Sequence, residues 1–194
     1  MIKKIKHGNS GIDVFEYKGQ KAVQKFGVEK AFDLLHDKNK ENPFSRIIEI
    51  GTDFGGLTNL IADLDISKGI DIYTYDINPN RFVSHNDKIF FSNEDVFSIE
   101  DKIADLISSE GRTLLLCDGG NKRKEFEVFH KFLKPGDVIM AHDYAPDDKT
   151  FTEKYVGKIW NWCEFKDEYA DFEGLDPYLQ DVFGKYAWCI RIKK

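Results

Sequence analysis

The chain has 194 residues with 34 acidic against 28 basic side chains, a net charge of −6, which suits one domain that buries a substantial core without disulfides. That charge offers no basic field for a polyanion and argues against a nucleic-acid partner. Cys117, Cys163 and Cys189 form no C-x-x-C pair and point to a reducing compartment. No run approaches the roughly 20 apolar residues that span a bilayer, so a soluble, cytoplasmic protein without a membrane partner is expected.

The Lys3, Lys4, Lys6 cluster reads as a solvated terminus. From there the pattern alternates helical periods with short apolar runs: a helix over 28–36, a strand over 46–50, a helix over 57–64, strands over 71–76 and 88–92, a helix over 99–108 and a strand over 113–118. A helix over 121–133 follows, with Phe126, Phe129 and Phe132 on one face and Lys122, Arg123, Lys124 and Lys131 opposite, so its aromatic stripe reads as core. Pro135-Gly136 ends it ahead of a strand over 137–142. A helical pattern over 152–165, an acidic loop and a strand over 187–192 complete the chain.

Strands over 46–50 and 113–118 are nearly all apolar, as central parallel strands are, whereas the last strand alternates near its end as an edge strand does. The alternation predicts an α/β fold, a mostly parallel sheet with helices on both faces and an antiparallel C-terminal edge strand. One domain over 1–194 is expected, with an N-terminal segment and helix (1–45), a cofactor-binding core (46–145) and a substrate-side segment (146–194).

Ile47-Ile48-Glu49-Ile50-Gly51-Thr52-Asp53-Phe54-Gly55-Gly56 joins a buried strand to a glycine turn and a helix. Such a turn brings a ligand close to the backbone. Three residues separate Gly51 from Gly55, so the run is not the G-x-G-x-x-G of dinucleotide sites. Glu49 at the strand's end suits a cationic or amine-bearing ligand, a description that S-adenosylmethionine fits. In an open α/β sheet the residues that close the strands face the ligand, and here most are acids. Asp76, about 25 residues beyond Gly51, sits where a carboxylate accepts ribose hydroxyls; its alternative is a turn cap. Asp95 and Val96 offer a partner for an adenine edge beside Phe97, or Asp95 is a helix N-terminal acid. Asp118, uncovered by Gly119-Gly120, and His142-Asp143 on a neighbouring strand could hold a hard divalent ion that orients a substrate hydroxyl, or could be acids at the solvated sheet rim.

Together these motifs resemble the class I S-adenosylmethionine-dependent methyltransferases. More narrowly, Tyr17-Lys18-Gly19, Ile48-Glu49-Ile50-Gly51-Thr52, Gly55-Gly56 and Asp71-Ile72 leading to Asp76 look like the cephalosporin hydroxylase, rhamnosyl and macrocin-type O-methyltransferase group. The resemblance implies O-methylation of a small molecule or sugar with S-adenosylmethionine and Mg²⁺ or another divalent cation. Glu49, Gly51, Thr52, Gly55, Asp76, Asp95, Val96 and Asp118 would serve the cofactor, and Asp118, His142 and Asp143 the metal. Where sugar-methylating members carry a second acid this chain has His142, a ligand or a base. Lys122 falls near a lysine that deprotonates the hydroxyl in catechol-type enzymes.

Two other readings stand beside this one. A nicotinamide-dependent oxidoreductase would need the fingerprint that is missing here, and a non-catalytic cofactor-binding module would keep the fold without the metal centre. The acceptor's identity and association into a homo-oligomer stay open. Phe151, Tyr155, Trp160 and Trp162 are candidates for the acceptor wall, and Asp167, Glu168, Asp171, Glu173 and Asp176 form an acidic loop that would attract a cation or be solvated.

Overall fold

A computed structural model describes residues 1–78 and 82–194. Its first three strands, β1 (Lys3–Lys6), β2 (Asp13–Tyr17) and β3 (Gln20–Lys25), make a small antiparallel sheet. The lysines expected at a solvated terminus are exposed but belong to a strand, and Lys4 and Lys6 both pair with Asp13. Lys18 and Gly19 take φ values of 50° and 80°, the left-handed pair that a two-residue hairpin turn requires. Val14, Phe15 and Ala22 are buried beneath it.

Helix α1 (Glu29–Lys38) leads to β4 (Arg46–Ile50), α2 (Gly56–Asp63), β5 (Asp71–Tyr75), β6 (Ile89–Ser92), α3 (Glu100–Ser108), β7 (Thr113–Cys117), α4 (Lys122–Phe129) and β8 (Val138–Ala141). A single turn α5 (Asp148–Thr150), β9 (Leu175–Pro177), α6 (Gln180–Phe183) and β10 (Cys189–Lys193) follow. The larger sheet runs β6-β5-β4-β7-β8-β10-β9, parallel from β6 through β8. The last strand is antiparallel, but it lies between β8 and the short β9 rather than at the edge. Burial of Cys189, Ile190 and Arg191 reflects that inner position.

Alternation along the strands sorts the core into two layers. Ile47, Leu114, Leu116, Val138 and Met140 face α1 and α2, while Ile48, Ile50, Leu115, Cys117 and Ile139 face α3 and α4 with Phe126 and Phe129. A third cluster, including Val14, Ala145, Tyr155 and Trp160, ties the small sheet to the chain after β8.

The expected helix over 152–165 does not form. Phe151–Tyr155 makes one wide turn, Val156 is extended, and Gly157 takes φ 70°. Asn161 caps the Gly157 amide, and Trp160 is buried. Its indole has a polar partner at the sheet edge.

Candidate active site

The parallel register brings Ile50, Tyr75, Cys117 and Ala141 into one row, so the next residues, Gly51, Asp76, Asp118 and His142, emerge side by side at the carboxyl edge of the sheet. Ladder bonds continue one step past the strands: Gly51 N donates to Tyr75 O at 2.8 Å, Asp118 N to Ile50 O at 2.8 Å and His142 N to Cys117 O at 3.1 Å. Gly51 has φ 94° and lies so close to the Asp118 carbonyl that a Cβ would overlap it. Asp143 also has positive φ, 54°, an uncommon conformation for a side-chain-bearing residue, and the turn lets His142 and Asp143 serve one site.

Two cavities meet at Gly51. The first, about 260 Å³, is lined by Ile50, Tyr75, Asp76, Val96, Phe97 and the Gly119-Gly120 loop among others. Asp76 accepts the amides of Asp53 and Asn78, each at 2.8 Å; a carboxylate oxygen has a second lone pair for a ligand hydroxyl. Asp95 turns back on the Phe97 amide at 3.0 Å, and Phe97 stacks on Phe129 at 6.1 Å. Glu125 holds the loop from below, accepting the Gly119 and Asn121 amides at 3.1 Å. An apolar slot with one hydroxyl-accepting acid and backbone close at hand is a donor set that fits a nucleoside.

The second cavity, about 330 Å³, is lined by Gln24, Thr52, Asp118, Lys122, His142, Asp143, Trp160 and Trp162 among others. His142 is 2% exposed. Its Nδ1 lies 3.1 Å from Asp118 Oδ1, and its ring is flanked by Trp160 at 5.0 Å and Trp188 at 4.7 Å. Because a carboxylate only accepts, this contact places the neutral ring's proton on Nδ1 and leaves Nε2 as an acceptor. Nε2 is buried without a protein partner. Gln24 donates to Asp118 Oδ2 at 2.5 Å, and Trp160 Nε1 to Asp143 Oδ1 at 2.5 Å.

Lys122 is 8% exposed and its Nζ sits 3.1 Å from Asp143, 3.4 Å from Glu164 and 3.9 Å from Asp118. Burial alone would lower its pKa, but the three carboxylates reverse that and raise it. Lys122, expected as a base, faces three carboxylates that favour its ammonium form. For Asp143, burial pulls the pKa up, and His142, Lys122 and the Trp160 bond outweigh it, leaving it lowered.

Glu49 does not reach either cavity. It is 1% exposed, and its Oε2 accepts the hydroxyls of Thr58 at 2.5 Å and Thr74 at 2.6 Å. Burial pushes its pKa up to about 7, and its two hydroxyl partners tie β4 to α2 and β5 under the turn. Gly55 is the left-handed cap of α2, and Gly56 packs against the backbone of Lys21 and Ala22. Asp118, His142 and Asp143 lie together, with the two carboxylates 3.1 and 3.5 Å from His142 Nδ1, and among the described residues no group of three or more His, Cys, Asp or Glu has the arrangement of a metal site. The carboxylates of Asp118 and Asp143 lie on the Nδ1 side of His142, while its unpartnered nitrogen points away from them.

Gln24 and Glu164 went unnoticed in the sequence. Gln24 was signalled by alternation on both sides of Lys18-Gly19, the pattern of a hairpin; nothing local marked Glu164. Of the four candidate wall aromatics, Trp160 and Trp162 line the second cavity and Phe151 and Tyr155 pack in the third cluster. The acidic loop lines neither cavity; Asp167 receives the Tyr144 hydroxyl at 2.9 Å and Asp176 pairs with Lys194 at 2.9 Å.

This strand order, with its late antiparallel strand and ligand-facing carboxyl edge, is the class I methyltransferase fold. Solved structures agree: CmcI with SAH superposes with a TM-score of 0.61 at 12% identity, over 97% of this chain and 84% of that one. CmcI with Mg-SAM gives 0.61 at 14%, over 96% and 78%. A caffeoyl-CoA O-methyltransferase-type protein from Staphylococcus aureus gives 0.57 at 14%, over 90% and 86%. In sequence, the chain is 31% identical over 185 residues to a phosphoethanolamine N-methyltransferase from Plasmodium falciparum (isolate 3D7), covering 92% of this chain. The chain spans 64% of that relative's length. No family model matches the chain.

Proposed function

We propose that the protein is an S-adenosylmethionine-dependent methyltransferase acting on a small molecule, with the nucleoside in the cavity beside Asp76 and the acceptor in the cavity beside His142. The observation that carries this reading is the pair of cavities that meet at Gly51, one lined by Asp118, His142 and Asp143 and the other suited to adenosine. The sulfonium of the cofactor supplies an activated methyl group, so the protein has only to align the acceptor and manage its proton. Asp118 orients the His142 ring through Nδ1 in the wall of the acceptor cavity, which places the imidazole as the general base for the acceptor's hydroxyl or amine. Trp160 and Gln24 fix the two aspartates.

A hydroxyl acceptor accords with the name of the Staphylococcus aureus neighbour. An amine acceptor accords with the name of the Plasmodium relative and with Trp160 and Trp162 next to Asp143 in one cavity, a setting that attracts cations. The test is calorimetric titration with S-adenosylmethionine and S-adenosylhomocysteine, followed by a methyl-transfer screen of hydroxyl and amine acceptors. Micromolar cofactor binding and turnover are expected. Asp118→Asn and His142→Ala should lower kcat by about 10²–10⁴ while leaving cofactor affinity within a fewfold. Binding without turnover of any acceptor favours the non-catalytic module; no binding in any condition rejects the reading.

A further inference from the structure

The cluster around Lys122 has the ligand chemistry of a hard-cation site but already contains a cation. Gly119 O lies 2.8 Å from the Lys122 Nζ, Asp143 Oδ2 3.1 Å, Glu164 Oε2 3.4 Å and Asp118 Oδ1 3.9 Å. Carboxylates and a carbonyl are what Mg²⁺ or Ca²⁺ take from a protein. Here the same oxygens gather on a nitrogen, the first three within hydrogen-bond distance and Asp118 as a longer ion pair.

The position is built and not a surface accident. Lys122 opens α4, and its own amide donates to Glu164 Oε1 at 2.9 Å, so Glu164 grips both ends of the residue. Glu164 is in turn fixed by its amide, which donates to Asp143 O at 2.8 Å. Each carboxylate oxygen of the two aspartates has its own protein donor: His142 and Gln24 on Asp118, Trp160 and Lys122 on Asp143. A divalent ion entering between them would have to displace the ammonium, which would lose its buried carboxylate partners.

We infer that Lys122 is a resident cation standing in the place of a divalent metal, a positioning residue that neutralises Asp118 and Asp143 so that they can hold His142 and Trp160. The inference rests on the methyltransferase reading only for its consequence, that methyl transfer needs no divalent ion; the occupancy itself is a property of the protein alone. Three acids share one ammonium, so removing it leaves carboxylates facing one another across a space that a divalent cation would fill.

The experiment is Mn²⁺ titration followed by electron paramagnetic resonance on the wild type, Lys122→Ala and Lys122→Arg, with no cofactor present. Circular dichroism and S-adenosylhomocysteine calorimetry on the same samples report folding and the cofactor site separately. The wild type and Lys122→Arg should bind Mn²⁺ no better than its surface acids do, and Lys122→Ala should bind at least about tenfold tighter, at one site. Wild-type turnover, measured with any acceptor found, should be unchanged by chelator. Stoichiometric Mn²⁺ binding by the wild type overturns the inference, as does a folded Lys122→Ala with no gain in affinity. Failure of the cofactor calorimetry would reject the methyltransferase reading and leave the Mn²⁺ result standing.

Discussion

Glu49 shows how much a residue's role depends on which way its strand faces. In sequence it closes a strand before a glycine turn and looks like a ligand contact; in the fold it lies inward, between Thr58 and Thr74. Burial raises its pKa from 4.5 to about 7, and the sign of the resulting pH dependence is fixed. A carboxyl whose folded pKa lies above its unfolded value adds stability below the unfolded value, and that contribution is lost as pH rises through the folded one. Glu49 thus removes on the order of 3 kcal/mol between pH 4 and pH 8. Glu125, pushed to about 7 chiefly by burial, adds a loss of the same sign. Glu49→Gln keeps one acceptor for both hydroxyls and never ionises. Its Tm should match the wild type near pH 4.5 and exceed it at pH 8, and parallel Tm curves for the two proteins would refute the assignment. Glu125→Gln has one acceptor for two amides and gains no such advantage.

At the scale of elements, the parallel core was legible because its signals are local. Continuous apolar runs mark strands buried on both faces, and the helices between them carry 3.6-residue stripes. Two elements escaped. The small N-terminal sheet is made of short, half-polar strands whose lysines read as a solvated tail, and the segment after β8 has a helical spacing that Gly157 and the burial of Trp160 override. Both bear on the site. The hairpin lies against α2 at Gly56, where a Cβ would meet the Lys21 and Ala22 backbone, and this contact helps to set Gln24 over Asp118. Gly56→Ala should cost about 1–3 kcal/mol by overpacking, read as a lower midpoint in urea denaturation, and should lower methyl transfer more than Leu34→Ala on the exposed side of α1. An unchanged midpoint would mean that the hairpin shifts freely and does not position the site.

Across the whole molecule, β4, β7 and β8 lie in the middle of the sheet between two apolar layers, whereas the chain from 146 to 174 has few regular bonds and many exposed acids. Hydrogen exchange should therefore find the amides of Ile47–Ile50 and Leu114–Cys117 open only on global unfolding, and those of 156–174 open much earlier; equal protection would contradict this division. None of the helices in the described residues is long and apolar enough to cross a membrane. By itself the sequence determined the class of fold, the order of its core strands and helices, and the acids at the strand ends, because hydrophobic period and glycine placement act over a few residues. Only the tertiary structure decided which acids reach a cavity, that Lys122 is held charged among Asp118, Asp143 and Glu164, and that Gln24 completes the site. Those outcomes depend on strand facing, burial and contacts between residues as far apart as Gln24 and Asp118, and no local pattern carries that information.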